Sequence, residues 1–232
     1  GSANEATYSV NISNPSTEDT VIEVTISDGS TEGSADYTAP VTQSVTIPAG
    51  QTTVDVSVPI VNDNLFEGPE DFTVTVTDIT SNNATIGPDD SVTTTIYDDG
   101  TTDGTTPVDP NDPTLGDDTP VVSITGTTSL NETAADGSAN EATYSVSISN
   151  PSTEDTVIEV TISDGSTEGS ADYTAPVTQL VTIPAGQTTV DVSVPIVDDN
   201  LSEGPEDFTV TVTDITSGTA TIGTDDSVTT TI

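Results

Sequence analysis

The chain contains no lysine, arginine or histidine, so its 40 Asp plus Glu residues give a formal charge of −40 with no cationic side chain to offset any of it. Each absence excludes a class of function. Phosphate backbones are bound through Lys and Arg, so nucleic acid is excluded as a partner. The same absence argues against binding an anionic membrane surface. Without His, Cys or Lys the usual general bases and activated nucleophiles are missing, and neither a Ser-His-Asp nor a Cys-His arrangement can be assembled. The residue inventory therefore points away from an enzyme and from a small-molecule substrate. Cysteine is absent, which removes disulfides and Cys/His zinc sites as means of stabilisation. A hard cation held by oxygen ligands is the route that remains, and the chain is rich in such oxygens. No apolar run approaches the ~20 residues that span a bilayer, so membrane insertion is not expected. Hydrophobic residues make up only 31% and aromatics 3%, a composition bordering on the disordered class unless its apolar residues are ordered by periodicity.

They are ordered, and they repeat. GSANEATYSV at the start recurs from Gly137 to Val146, and the 136-residue offset holds to the end. Residues 1–96 and 137–232 differ at seven positions: Asn11/Ser147, Ser44/Leu180, Asn62/Asp198, Phe66/Ser202, Asn82/Gly218, Asn83/Thr219 and Pro88/Thr224. A period this long exceeds the ~20–50 residues of a solenoid unit, so each repeat is a domain with a connector. Near-identical neighbours suit a spacer or a multivalent surface better than a catalytic site. The connector is visible in Asp98–Asp118, DDGTTDGTTPVDPNDPTLGDD, where Val108 and Leu115 are the only large apolar residues and no periodicity survives. This sets the domains at 1–99, 100–118 for the acidic Pro/Gly/Thr linker, and 119–232.

Within each repeat, apolar residues alternate with Thr, Ser and acidic residues at period two, the sign of half-buried strands. The sets are Tyr8, Val10 and Ile12; Ile22, Val24 and Ile26; Val45 and Ile47; Val54, Val56, Val58 and Ile60; Phe72, Val74 and Val76; and Val92, Thr94 and Ile96. Turn signals separate them, among them Asn14-Pro15, Asp28-Gly29, Pro48-Ala49-Gly50 and Gly68-Pro69. Short strands at this spacing predict an all-β sandwich in each repeat. The second repeat adds Val121-Val122-Ser123-Ile124 ahead of Leu130-Asn131-Glu132, and nothing equivalent precedes the first. The first sandwich is thus expected to lack its opening strand and to leave an edge or core gap, with strand-sharing by another copy as one way to fill it.

Acidic residues gather at fixed places: Asn62-Asp63-Asn64-Leu65-Phe66-Glu67 with its copy Asp198-Asp199-Asn200-Leu201-Ser202-Glu203, the Gly33–Tyr37 element with Asp36 and its copy around Asp172, and Asp98-Asp99. Two carboxylates at 4 Å repel by ~4 kcal/mol at an effective dielectric of 20. With no Lys or Arg available, either they point apart into water or a divalent cation lies between them. Ca²⁺ accepts 6–8 oxygens in flexible geometry, which suits loop ligands better than the stricter octahedron of Mg²⁺. Asp28-Gly29 and Asp164-Gly165 read as turn formers, Tyr37 and Tyr173 as residues packed on a sheet, and Asp89-Asp90 with Asp225-Asp226 as solvated turns. In the linker Asp103, Asp109, Asp112, Asp117 and Asp118 are further candidates for a calcium clamp.

These runs carry a resemblance. ISDGSTEGSADYTAP, VTIPAGQTTVDVSVPIVDDNLSEGPEDFTVTVTDIT and SVTTTIYDDG resemble the Calx-beta domain over most of each repeat. The resemblance implies two tandem immunoglobulin-like, Greek-key β-sandwiches joined by the acidic linker, with calcium ligands at one end of each. By position, the second repeat would offer Glu132, Asp172, Asp198, Asp199 and Glu203. The first would offer Asp36, Asp63, Glu67, Asp98 and Asp99, with Asn62 where the copy has Asp198, a departure that removes one charge. The large repeat is also similar to extender regions of RTX-type bacterial biofilm adhesins. That implies an extracellular, cell-surface spacer stiffened by Ca²⁺, whose partners are neighbouring repeats of the same chain. The alternative is a ligand- or glycan-binding adhesion module, which needs an exposed apolar or aromatic patch; Phe66 is the residue that stands out, and its copy is Ser202.

Overall fold

The computed structural model describes residues 5–31, 33, 35–61, 63, 65–81, 84–97, 119–133, 140–167, 171–199 and 204–232. The fold is all-β, with fourteen strands and no α-helix among these residues. The chain divides into two compact units, one holding the first six strands and the other the last eight.

In the first unit the strands are β1 (Glu5–Asn11), β2 (Thr20–Asp28), β3 (Thr42–Ile47), β4 (Thr53–Pro59), β5 (Glu70–Ile79) and β6 (Ser91–Ile96). They form an antiparallel four-stranded sheet in the order β3-β2-β5-β6 and a two-stranded sheet β1-β4. Period two sets the two layers. In β2 alternate residues Ile22, Val24 and Ile26 are buried, while Val21, Glu23 and Thr25 between them are half-buried. Val56 and Val58 of β4 and Phe72 and Val74 of β5 complete the core, with Tyr37 packed against Phe72 at a ring separation of 5.0 Å. The Pro48-Ala49-Gly50 turn closes because Gly50 adopts φ 79°, and its amide donates to the Ser16 carbonyl at 2.8 Å.

The second unit repeats this plan and extends it. Its strands are β7 (Val121–Gly126), β8 (Glu141–Ile148), β9 (Thr156–Asp164), β10 (Thr178–Ile183), β11 (Thr189–Pro195), β12 (Asp207–Ser217), β13 (Thr221–Ile222) and β14 (Ser227–Thr231). One sheet runs β10-β9-β12-β14 and matches its counterpart in the first unit. The other runs β11-β8-β7-β13 and has two strands more, β7 antiparallel to β8 and β13 parallel to β7. With β7 present, Tyr144, Val146 and Ile148 are buried, and the Tyr144 hydroxyl bonds to Thr230 Oγ1. Their counterparts Tyr8, Val10 and Ile12 are half-buried, although Tyr8 keeps the equivalent bond to Thr94 Oγ1 at 2.6 Å. Among the described residues, then, β1 has β4 as its single strand neighbour.

Candidate metal centre

Asp36, Glu67 and Glu70 converge in the first unit, each with a carboxylate oxygen lying within 4.8 Å of those of the other two. Three pieces of local structure bring them there. Asp36 sits in the turn after β2, where its amide donates to the Gly33 carbonyl at 3.2 Å and its carbonyl accepts from the Val61 amide at 2.8 Å. The Tyr37–Ile60 bridge fixes the same turn to the chain leaving β4. Glu67 lies on the approach to β5, and Glu70 is the first residue of that strand, opposite Ile96. Asp36 is only 6% exposed, and the two glutamates are half-buried.

Around this centre the turn is tied down by acidic residues with other duties. The Tyr37 hydroxyl donates to Asp28 Oδ1 at 2.6 Å, and Thr31 Oγ1 donates to the same oxygen at 3.4 Å. Burial first, then this bond and the nearby charges of Asp28 and Asp36, push the Tyr37 phenol up to about 12. Asp71 anchors the loop from the other side: its carbonyl accepts the Gly29 amide at 2.8 Å, and Ser30 Oγ donates to its Oδ1 at 3.1 Å. A Cβ on Gly29 would lie 2.5 Å from that carbonyl, so the close approach requires glycine. Asp28 and Asp71 are thus structural braces that leave Asp36 facing Glu67 and Glu70.

The corresponding end of the second unit brings Glu132, Asp172 and Glu206 to the wall of one small cavity. Glu132, Asp172, Gly204, Glu206 and Ile232 line a cavity of about 10 Å³, close to the smallest that holds one water molecule. Asp172 is buried and accepts the Val197 amide on its carbonyl at 2.8 Å, as Asp36 does from Val61. Glu206 and Ile232 exchange backbone hydrogen bonds at 3.2 and 2.8 Å. Glu132 is brought in by the Ser129–Thr231 bridge and by its carbonyl accepting the Asn140 amide at 2.9 Å. The Tyr173 hydroxyl donates to Asp164 Oδ1 at 2.6 Å; burial foremost, and then this contact, raise the phenol strongly.

The residues singled out in the sequence are therefore distributed unevenly. Asp36 and Glu67 meet in one cluster, and Glu132 and Asp172 line one cavity. Asp63, Asp198 and Asp199 are exposed and stand outside these groups, with Asp198 Oδ2 accepting from Thr133 Oγ1 at 2.8 Å. Asn62, Asp98, Asp99, Asp103, Asp117, Asp118 and Glu203 lie outside the described residues. Glu70 and Glu206 were missed. Strand parity would have found them: Glu70, Phe72, Val74 and Val76 share one face of β5, so the glutamate lies in register with the core at the strand's open end.

The Calx-beta domain family model matches residues 2–100 and again 118–232. The chain belongs to the Calx-beta domain family. Among solved structures it is similar to CBD12 from CALX1.2 and to the calcium binding domain CBD12 of CALX1.1, each at 11% identity and TM-score 0.42, covering 99% of this chain and 93% and 94% of those chains. The apo form of the Calx CBD1 domain is similar over 47% of this chain and 94% of its own, at 15% identity and TM-score 0.41. No curated protein compared with it matches. In the first Calx-beta unit the acidic end gathers hard oxygen donors in a chain that has no cationic side chain to neutralise them, and in the second Glu132, Asp172 and Glu206 line one cavity.

Proposed function

We propose that this pair of Calx-beta domains is a calcium-stabilised spacer, an extender segment of a long extracellular bacterial adhesin. The observation that carries the reading is the convergence of Asp36, Glu67 and Glu70 without any Lys, Arg or His in the chain. The donor set fits the ion. Ca²⁺ binds oxygen at 2.3–2.6 Å, so two oxygens on one ion stand at most about 5 Å apart, and these three carboxylates already lie within 4.8 Å of one another. In the second domain Glu132, Asp172 and Glu206 would supply the ligands. When bound, the ion supplies neutralising charge and a cross-link between the turn after β2, the approach to β5 and the strand itself.

Repetition supports a structural task over catalysis, because two copies differing at seven positions present the same end twice along one chain. The exposed surface supports it too: among the described residues the exposed large apolar side chains include one aromatic, Tyr97. Modules of this kind outside cells bind calcium with constants of about 10⁻⁴–10⁻³ M, far above cytosolic levels. A chain tuned to that range stays loose during export and tightens outside, and the linker carboxylates extend the same response between repeats. The test is calorimetric titration of the full chain with Ca²⁺, paired with small-angle scattering and melting in calcium and in chelator. Saturable binding, a higher melting temperature and a narrower range of dimensions in calcium are expected. No heat of binding, together with unchanged melting and dimensions, would end the proposal.

A further inference from the structure

In the second unit the segment that opens the fold and the segment that closes it are bonded to each other along their length. The Thr221 amide donates to the Pro120 carbonyl at 2.9 Å, the Gly223 amide to the Val122 carbonyl at 2.9 Å, and the Ile124 amide to the Asp225 carbonyl at 2.8 Å. Further along, Thr230 Oγ1 donates to the Thr127 carbonyl at 2.6 Å. The Thr231 amide then donates to the Thr128 carbonyl, and the Leu130 amide to the Thr231 carbonyl, each at 3.0 Å. Residue numbers rise together on both sides, so the two segments are parallel, as are the β13–β7 pairing and the Ser129–Thr231 bridge. Val122, Ile124 and Thr230 are buried, which keeps water from competing for these bonds. Connectivity gives this ladder a direction. The linker leaves the first unit after β6 and enters the second at β7, and β14 occupies the place of β6 in the repeat. Tension carried along the chain therefore draws β7 backwards from its start and β14 forwards from its end.

We propose that this ladder is a mechanical clamp, and that the second unit is a load-bearing module that resists tension along the chain. The inference takes its load from the spacer reading, whereas the clamp itself needs no ion. Parallel segments pulled from opposite ends slide past one another, so the load falls across all the bonds of the ladder at once. Pulled from one end, the same bonds would open one after another, each a small barrier by itself. Sliding also drags Val122 and Ile124 out of the core in the same step, because both belong to its buried cluster. Forced unfolding is governed by the barrier out of the native state and not by net stability. A shear ladder backed by buried side chains raises that barrier along the one direction in which a spacer is pulled.

The experiment is single-molecule force spectroscopy of the full chain in chelator. One tether is attached at Gly116→Cys in the linker and the other is fused after Ile232, which shears the ladder from opposite ends. In a second version the latter tether moves to Thr221→Cys, an exposed position bonded to Pro120, so that the ladder opens from one end. The end-to-end rupture force should exceed the one-ended force several-fold. Thr231→Pro removes the amide bonded to Thr128. It should lower the end-to-end force and leave the one-ended force unchanged; if this variant does not fold, the two tether geometries decide by themselves. Equal forces in the two geometries, or an end-to-end force unmoved by Thr231→Pro, overturns the proposal. Both forces are read without calcium, so a chain that binds no ion would still show the clamp, and a failed clamp would leave calcium binding untouched.

Discussion

Replacing Glu70 with glutamine should change sign with calcium. In the metal-free protein Glu70 faces two other carboxylates whose oxygens lie within 4.8 Å. At an effective dielectric of 20, each such pair repels by about 3.5 kcal/mol. Glu70 takes part in two of the three pairs, a gross repulsion of about 7 kcal/mol. Both glutamates are half-buried, and solvent and salt reduce the net value to about 1–2 kcal/mol. For a domain of this size that corresponds to a melting temperature higher by roughly 4–15 °C in chelator. In calcium the order reverses. A folded state that binds the ion at a hundred times its dissociation constant gains about 2.7 kcal/mol, and Glu70→Gln removes a charged ligand and much of that gain. The assay is differential scanning calorimetry of the full chain, wild type and variant, in chelator and in millimolar Ca²⁺. The first unit's transition should rise on substitution in chelator and fall relative to wild type in calcium. A variant destabilised equally in both buffers would refute the reasoning, because Glu70 would then be an ordinary structural residue.

Alkaline titration should expose Tyr37 and Tyr173. The Tyr37 phenol is raised from 10.0 to about 12 on folding, so the stability its protonated form contributes is complete below pH 10 and is lost as pH climbs towards 12. Tyr37→Phe should flatten that decline in a pH series of denaturant melts, while removing a charge-assisted bond to Asp28 at a cost of about 1.5–3 kcal/mol near neutrality. Gly29→Ala should destabilise the first unit by roughly 1–3 kcal/mol, because the Asp71 carbonyl cannot retreat from the strand; a calorimetric scan checks it. Val146→Ala should cost about 2–3 kcal/mol and Val10→Ala about half as much, because the same side chain is buried in one repeat and half-buried in the other. Equal losses would show that β7 does not seal its sheet.

The strands were legible because their signal is local. Alternation in TVIEVTISD forces Ile22, Val24 and Ile26 to one side of any extended backbone, and burial follows wherever a second layer exists. The all-β reading and the tandem arrangement rest on that pattern and on the repeat. The acidic end was legible only in part. Asp36 and Glu67 stood out as members of acidic runs, whereas Glu70 looked like one more charge beside Pro69. Its place depends on β5 beginning at that residue and on Phe72 setting the parity. Asp28 shows the converse: its spacing from Gly29 marks a turn, but its bond to the Tyr37 hydroxyl, nine residues away, depends on the loop folding back.

By itself the sequence determined that the chain is β, that it is doubled, and that its carboxylates have no internal cationic partner, because composition and period-two alternation do not depend on distant contacts. Tertiary structure alone decided what identical segments become. Thr221-Ile222 is a strand and Thr85-Ile86 is not, although the residues are the same, because a strand exists only where a neighbour supplies the other half of its hydrogen bonds.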